Sequence, residues 1–445
     1  MTLHLGNIEL NVESAEGQDA LARAHRKGDR VDCRCRVPYP KMYVAAVNGR
    51  FIVKRMPETG HEHAPACTSY LPPGELSGLA QVQGSAITES PEDGTTTIRL
   101  GFPLKKIGKP RAMPELTGQP ATEVKQSPYK LTITSLLHYL WHEADLGKWY
   151  PAMNGKRFWG VVHSALERAA AGKVVKGQDL ARILYVPEYF RVDHKDEIAA
   201  RRNALFAHLR PGKGGPAPLG LLIAEYKTHE PTSLGAKLVF KHAPGCPFFA
   251  DEDIARRFNT VFAERLHLSE FVEGSHPIMI ASFSISKSRY PVLLEMGMML
   301  VTSNWIPFEH TRDVDLITRL TDQKRAFQKS LRFNLKSDAP IASAVLLDTV
   351  DPVALYVAED PDSAEAVAAL VGTASESRYS SWLWTSHDPM PDLPPDRWNT
   401  PPGDPSRLPG GAPDHPQTAN TAGQKSPRNP SETSKVHEGG PSDAI

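Results

Sequence analysis

Apolar residues recur along the chain with different spacings, and the changes in spacing divide the sequence into segments. In residues 31–106 they fall in short runs bounded by turn residues, which is typical of β-strands. In residues 129–215 they recur every three or four positions among good helix formers, which predicts a mostly helical segment. Residues 216–388 alternate between the two patterns and favour an α/β domain. The chain is therefore expected to have an α+β or mixed α/β fold.

The clearest local signal is a β-hairpin. Asn48-Gly49 separates "MYVAAV" from "RFIVKR", and Asn-Gly is the dipeptide most favoured in two-residue hairpin turns. Such a turn pairs positions whose numbers sum to 97, so an extended hairpin would place Cys35 opposite Glu62. Prolines and glycines on both sides make continued pairing unfavourable, but the flanks of the hairpin should still converge.

Composition places limits on the domain organisation. We predict a β-rich module over 1–106, a linker over 107–128, a helical segment over 129–215, an α/β domain over 216–388 and a tail over 389–445. The tail holds 13 of the 39 prolines and shows no apolar periodicity, so it is expected to be disordered.

Charge and hydropathy exclude several classes of protein. Lys plus Arg and Asp plus Glu are equal at 51 each, so net charge gives no attraction to a polyanion. The N-terminus lacks the basic start and apolar stretch of a signal peptide, and no apolar run is long enough to span a membrane. These features predict a cytoplasmic protein without membrane contact, in which cysteines stay reduced.

Three of the four cysteines lie in one short window, together with two histidines. Cys33 and Cys35 occur in "DCRCR", and His63 and Cys67 occur in "GHEHAPAC". Thiolate and imidazole groups are the ligands of structural zinc, and these four residues would complete a closed Cys3His site. His61 is an alternative to His63 as the fourth ligand. The window therefore predicts a zinc-ribbon-like module with structural Zn²⁺.

A later segment, "KHAPGC", repeats part of this pattern with His242 and Cys246. The first window already supplies four ligands, so the repeat is interpreted as chance and Cys246 as a packed thiol.

A run of motifs in order gives a family resemblance. The segments are "CRCRVPYPKMYVAAVNGRFIVKRMPETGHEHAPAC", "LLHYLWHEADLGKWYPAMNGKRFW", "LLIAEYKTHEP" and "FQKSLRFNLKSDAPIASAVLLDT". Together they resemble the bacterial family catalogued as domain of unknown function 1173, over about residues 25–385. The resemblance implies a setting among plasmids and integrative conjugative elements, and it implies no particular reaction.

An enzymatic alternative rests on the strand "LLIAEYK". Glu225 and Lys227 form an E-x-K at its end, the arrangement used by Mg²⁺-dependent PD-(D/E)xK nucleases. Glu188 or Asp193 would supply the further acid that such a site needs. Alternating charges at a strand end are also ordinary solvated positions, so the signal is weak.

The stretch "RFNLKSDAPIASAVLLDTVDPVALYV" is similar to the region around the catalytic acids of some plasmid-borne nuclease-like domains. Ala342-Ser343 stands where Pro-Asp is expected, while Asp348 and Asp351 remain. The similarity implies a nuclease-like C-terminal fold without nuclease chemistry.

Nucleic-acid binding is suggested by a basic stripe on a helix predicted over 312–335. The stripe consists of Arg325, Lys329, Arg332 and Lys336, at helical spacing. A solvated helix face is the competing interpretation. The favoured reading of the whole chain is a zinc-stabilised, non-catalytic accessory protein that associates with DNA or a DNA-processing protein. The alternatives are the nuclease and a protein-interaction scaffold.

Overall fold

Helices occupy much of the predicted helical segment over 129–215 and alternate with strands beyond it, but two more lie in the region predicted to be β-rich and one predicted helix is too long. The computed structural model describes residues 2–47, 49–106, 127–210, 212 and 217–397. Within these residues there are nine α-helices: α1 (Ala15–Lys27), α2 (Leu79–Val82), α3 (Ile133–Glu143), α4 (Trp159–Ala170), α5 (Lys195–His208), α6 (Glu252–Val261), α7 (Ala263–Phe271), α8 (Thr311–Asp322) and α9 (Ala364–Glu376). The helix predicted over 312–335 is wrong beyond Asp322. Lys324 has a φ of 55°, and the chain turns there into a strand.

The strands are mostly short. In the described part of the chain they are β1 (Leu3–Leu5), β2 (Ile8–Glu9), β3 (Val31–Cys33), β4 (Lys41–Val47), β5 (Arg50–Arg55), β6 (Ile87–Ser90), β7 (Thr95–Ile98), β8 (Lys105–Lys106), β9 (Lys148–Trp149), β10 (Lys173–Val175), β11 (Gln178–Asp179), β12 (Leu184–Tyr185), β13 (Ala217–Pro218), β14 (Gly220–Thr232), β15 (Gly235–Phe240), β16 (Phe248–Ala250), β17 (His276–Ile285), β18 (Pro291–Val301), β19 (Pro307–Phe308), β20 (Phe327–Lys329), β21 (Ala344–Leu346), β22 (Val353–Val357) and β23 (Ser380–Trp384). The expected mixed α+β fold is confirmed.

The N-terminal sheet contains five strands in the order β2-β1-β3-β4-β5. The predicted hairpin is formed by β4 and β5, and its register runs from Met42 opposite Arg55 to Val47 opposite Arg50. Each pair sums to 97, so the predicted register is confirmed; Asn48 itself lies outside the described residues. α1 packs on this hairpin.

The largest sheet has seven strands, in the order β12-β14-β15-β16-β18-β17 with β19 beside β18. Because β14 also pairs with β17, the strands β14, β15, β16, β18 and β17 close into a five-stranded barrel. α3 lies against β18. Gly297 of β18 permits this approach, because a Cβ at that position would collide with the hydroxyl oxygen of Thr134. The side chain of Thr132 caps the start of α3 by accepting a hydrogen bond from the Ser135 N–H at 3.1 Å.

Two further sheets join distant parts of the chain. One has the order β11-β10-β7-β6, with β7 and β10 parallel. The other, which we call the C-terminal sheet, has the order β23-β22-β21-β20-β9. The main hydrophobic core contains buried residues from Leu79 to Trp384. Segments on both sides of residues 107–126 therefore contribute to the same core.

The predicted linker and tail fall mainly outside the described residues. Only 127–128 of the linker and 389–397 of the tail are described. Within the latter, Met390 and Leu393 pack against the main core, and the backbone carbonyl of Pro394 accepts a hydrogen bond from Arg325 at 2.7 Å. No helix in the described ranges is both long and apolar enough to cross a membrane.

Candidate metal centre

Two loops carry the four predicted ligands. Cys33 ends β3, and Cys35 follows in the turn that leads to β4. His63 and Cys67 lie in a second loop, residues 60–71, which we call the Cys67 loop. A hydrogen bond of 3.1 Å from the Leu71 N–H to the Gly60 carbonyl closes it. A Cβ on Gly60 would lie 2.7 Å from that of Leu71, so glycine permits the closure.

The extended pairing of Cys35 with Glu62 is not formed. The β4–β5 ladder ends at Met42 and Arg55, and β3 pairs with the other edge of β4. Cys33 and Cys35 reach the histidine because β3 lies one strand away and the Cys67 loop folds back over the sheet. The two pairs of ligands therefore come together as expected, but through β3 and the Cys67 loop and not through the hairpin ladder.

The ligand atoms form a compact group. The Sγ atoms of Cys33 and Cys67 are 3.7 Å apart, and Nδ1 of His63 lies 3.5 Å from Sγ of Cys35 and 3.7 Å from Sγ of Cys67. All four atoms lie within 4.8 Å of one another. A tetrahedral ion with Zn–S bonds of about 2.3 Å and a Zn–N bond of about 2.0 Å would separate sulfurs by about 3.8 Å, and sulfur from nitrogen by about 3.5 Å. The three distances given above between named ligand atoms match these separations.

Burial distinguishes the two histidines. His63 is fully buried, with Nδ1 directed at the sulfurs and Nε2 without a hydrogen-bond partner among the described residues. His61 is exposed and does not belong to the group. The N–H of Ala64 donates to Sγ of Cys35 at 3.4 Å, as expected around a thiolate ligand. The structure therefore places His63 with the cysteines.

Without an ion, the thiols share their protons unequally. The hydrogen bond from Cys33 is the main cause that lowers the pKa of Cys67, to about 4, and His63 lowers it further. The same hydrogen bond, together with burial, raises the pKa of Cys33. The lowered pKa of Cys67 favours a thiolate at that position, which is the form that ligates a metal ion.

A buried lysine that is not among the predicted site residues fixes the Cys67 loop to the rest of the molecule. Lys148 of β9 is 3% exposed, and its Nζ donates to the carbonyl of Thr68 at 3.2 Å. It also pairs with Asp145 at 3.0 Å. Its strand neighbour across the ladder is Gln328 of β20, so the loop is tied to the C-terminal sheet.

A cleft adjoins the Cys67 loop. Gly60, His61 and Leu71 form one wall, and the opposite wall includes Tyr139, His142 and Glu143 of α3. Glu143 accepts a hydrogen bond from the buried Lys173 at 2.7 Å. The position of the loop therefore determines the shape of the cleft.

The predicted nuclease residues are not assembled into a metal site. Glu225 is 2% exposed, and its Oε1 accepts hydrogen bonds from Nζ of Lys241 at 2.5 Å and from Nδ1 of His276 at 2.7 Å. Burial raises the pKa of Glu225, but the hydrogen bonds from His276 and Lys241 outweigh it, and the pKa lies below its ordinary value. The partners of Glu225 are a lysine and a histidine, whereas a nuclease site needs a second acid.

The remaining candidates of that site lie elsewhere. Both carboxylate oxygens of Glu188 accept hydrogen bonds from Arg201 at 2.7 Å, and Asp193 pairs with Arg191 at 2.9 Å. Lys227 is exposed, at an irregularity in the pairing of β14 with β15. Among the described residues, the Cys33 group is the one set of three or more His, Cys, Asp or Glu side chains close enough to hold an ion.

The basic stripe is not formed either, because its residues extend over strand β20 and the turns that flank it. Arg325 is 4% exposed and makes two hydrogen bonds to Asp348, at 2.9 and 2.8 Å. Lys329 is equally buried and lies 3.3 Å from Asp313. Of the two remaining residues of the predicted stripe, Arg332 pairs with Glu309 and Lys336 is exposed. Arg325 and Lys329 form ion pairs inside the protein, so the four residues do not present a continuous positive face.

The structure is thus that of a mixed α+β protein with a Cys3His group that could hold a metal ion. The chain matches the family described as "Protein of unknown function (DUF1173)" over residues 4–387 and belongs to that family. The predicted family resemblance is confirmed. Comparisons with curated proteins and with solved structures give no match.

Proposed function

We propose that Cys33, Cys35, His63 and Cys67 bind one structural zinc ion. The observation that carries the proposal is the spacing of the ligand atoms: three of their distances, 3.5 to 3.7 Å, match edges of a Cys3His tetrahedron around zinc, and all four atoms lie within 4.8 Å of one another. Three soft sulfur ligands and one imidazole favour zinc over magnesium or calcium, which take oxygen ligands. A separation of 3.7 Å between Cys33 and Cys67 is also far longer than a disulfide bond.

The proposed ion has a structural role. Four protein ligands leave no open coordination position for a substrate or a water, so the site supports a non-catalytic, zinc-ribbon-like module. Zinc would join the β3–β4 turn to the Cys67 loop, in a core that also contains Leu347 from the C-terminal sheet. Lys148 extends this connection to β9. The module would therefore hold the N-terminal sheet in place against the C-terminal sheet.

The test is zinc stoichiometry with a matched cysteine control. Purified protein should contain about one zinc per chain, and Cys67→Ser should lose most of it, because a hydroxyl is a poor replacement for a thiolate. Cys246→Ser removes another buried cysteine that is outside the group and should leave zinc unchanged. Equal zinc content in the Cys67→Ser and Cys246→Ser variants would reject the site.

Chelation tests the structural role. Removal of zinc should lower the thermal midpoint, because metal-binding free energy is also folding free energy. Cys67→Ser, already without zinc, should not respond to chelator. A wild-type midpoint that is unchanged after complete removal of zinc would show that the ion does not stabilise the fold.

A further inference from the structure

The cleft between the Cys67 loop and α3 contains polar groups that lack partners. We call it the Tyr139 cleft. Arg55 at the end of β5 and Glu89 of β6 also line it, so side chains from several separate elements meet there. Pro72 and Pro73, which follow the Cys67 loop, line it as well. Proline has a fixed φ, so this part of the wall is rigid and the cleft is formed before any ligand enters.

The hydroxyl group of Tyr139 is buried without a hydrogen bond. The residue is 2% exposed although it lines the cleft, so it lies at the deepest part. Its Oη has no partner within the described ranges. The hydroxyl interacts electrostatically with Glu143, Glu89 and Arg55, which all line the cleft, so it faces these groups. A buried hydroxyl without a partner is unfavourable, and a ligand in the cleft would supply the missing hydrogen bond.

The guanidinium group of Arg55 is available to a ligand. It makes no hydrogen bond in the described part of the chain, and its one ion pair there joins Nη2 to Oε1 of Glu143 over 3.8 Å, beyond hydrogen-bond distance. Glu143 pairs more closely with the buried Lys173, whose Nζ lies 2.7 Å from Oε2. The planar fork of Arg55 therefore keeps its N–H donors free, and this fork matches the two oxygens of a carboxylate.

Glu89 is an acid without a counterion. It is half-buried and makes neither a hydrogen bond nor an ion pair with any residue that the structure describes. Burial, and then the nearby carboxylate of Glu143, raise the pKa of Glu89, and the more distant charges of Lys54 and Arg55 oppose this only in part. An ammonium group placed beside Glu89 would compensate for both the burial and the repulsion.

A second depression adjoins the cleft, because both are lined by Pro72, Pro73 and His142. Leu76, Leu331 and Phe333 give this depression an apolar part. An apolar side chain of a ligand in the Tyr139 cleft can therefore extend past His142 onto an apolar surface.

We propose that the Tyr139 cleft binds a free amino acid, with its carboxylate on Arg55 and its ammonium group on Glu89. A ligand with one charge of each sign satisfies both groups, whereas a simple anion leaves Glu89 unpaired and a simple cation leaves Arg55 unpaired. The hydroxyl of Tyr139 donates to the carboxylate. A metal ion does not explain the acids, because the Cys33 group is the one set among the described residues that is close enough to hold an ion.

Calorimetric titration of the full chain with leucine tests the proposal, because leucine carries both charges and an apolar side chain. Two analogues separate the charges: N-acetylleucine lacks the ammonium group, and leucinamide lacks the carboxylate. Each analogue should bind about tenfold or more weakly than leucine, because one charged hydrogen-bonding group is lost.

The analogues also distinguish a free amino acid from the end of a peptide. N-acetylleucine resembles the last residue of a peptide, and leucinamide resembles the first. If either bound as tightly as leucine, the cleft would recognise a peptide terminus, and the proposal would be overturned.

Tyr139→Phe is the sharpest variant, because it removes a hydroxyl that has no partner in the folded protein. It should weaken leucine binding about fivefold or more without lowering the thermal midpoint. Tyr43→Phe is the matched control. Tyr43 is fully buried, and its hydroxyl also has no partner among the described residues, but it does not line the cleft. This control should bind leucine as the wild type does.

Two further variants test the charged contacts. Arg55→Lys keeps the positive charge but loses the planar fork, and Glu89→Gln keeps the shape but loses the charge. Each should weaken leucine binding about tenfold. Arg23→Lys on α1 and Glu92→Gln in the turn after β6 are exposed controls and should have no effect.

Two further results would overturn the proposal. One is absence of binding by leucine and by every other standard amino acid at about 10 mM. The other is equal binding by Tyr139→Phe, Arg55→Lys and the wild type. Zinc content is measured separately in each variant and should not change, so failure of either proposal leaves the other intact.

Discussion

The carbonyl oxygen of Thr68 lies 3.2 Å from the buried ammonium group of Lys148. Thr68 directly follows the proposed ligand Cys67, and Lys148 belongs to a strand that pairs with β20. This single contact therefore links the metal centre to the C-terminal sheet, across 80 positions of sequence.

Replacement of Lys148 should loosen this link without removing the ligands. Lys148→Met keeps most of the buried volume but removes the hydrogen bond to the Thr68 carbonyl and the ion pair with Asp145, which should lower the free energy of unfolding by about 1–3 kcal/mol. Zinc content should remain that of the wild type. Lys156→Met, at an exposed lysine, serves as the control in denaturant titrations. Equal stability of the two variants would contradict the role given to Lys148.

The two histidines of the predicted window should differ in their effect on zinc. His63→Ala removes the buried ring whose Nδ1 lies 3.5 Å from Sγ of Cys35, and it should lose most of the bound zinc. His61→Ala changes an exposed ring and should retain about one zinc per chain. Metal analysis after dialysis distinguishes them. If only the His61 variant lost zinc, the ligand would be His61 and not His63.

Glu225 should stabilise the fold in a pH-dependent way. Its folded pKa lies below the ordinary value of 4.5, so its stabilisation is present above that pH and is lost as the pH falls through the folded pKa. Near neutral pH, Glu225→Gln should lower the free energy of unfolding by about 1–3 kcal/mol. The difference from the wild type should shrink in acid. Glu264→Gln, at an exposed position of α7, should behave as the wild type at every pH.

His142 should make the protein sensitive to mild acid. Burial lowers the pKa of its imidazole from 6.5 to about 4, so the unfolded chain binds the proton first as the pH falls. Stability should therefore decrease between pH 6.5 and about 4, by up to about 3 kcal/mol from this residue. His142→Leu should show a smaller decrease, measured by urea unfolding at several pH values. His267→Leu, at an exposed histidine, should show the wild-type decrease.

Local signals predicted the parts of the structure that depend on nearby residues. The hairpin register follows from the Asn-Gly turn, and the helices of residues 133–170 follow from apolar spacing. The four ligands were also expected to lie together, but the structure joins them through β3 and the Cys67 loop and not through continued pairing of the hairpin. The Cys67 loop could not be placed in detail, since its position depends on Lys148, a residue remote in sequence.

The errors arise from contacts between distant residues. Residues 325–335 have helical spacing, yet Phe327 pairs with Trp149 on one side and Leu346 on the other, and this burial favours a strand. The sequence suggested a nuclease role for Glu225 because of the nearby Lys227. Its actual partners, Lys241 and His276, are 16 and 51 positions away and cannot be identified from spacing. Association with DNA, a cytoplasmic location and a setting among mobile elements stay predictions.

The pairing of β7 with β10, and of β9 with β20, limits how such a chain can be cut or recombined. A fragment that ends at residue 106 would leave β7 without its parallel neighbour, and a fragment that begins there would lack β6 and β7. Exposed strand edges of this kind promote aggregation. Recombination between homologous genes should therefore yield folded chimeric proteins only when all strands of a sheet come from the same gene.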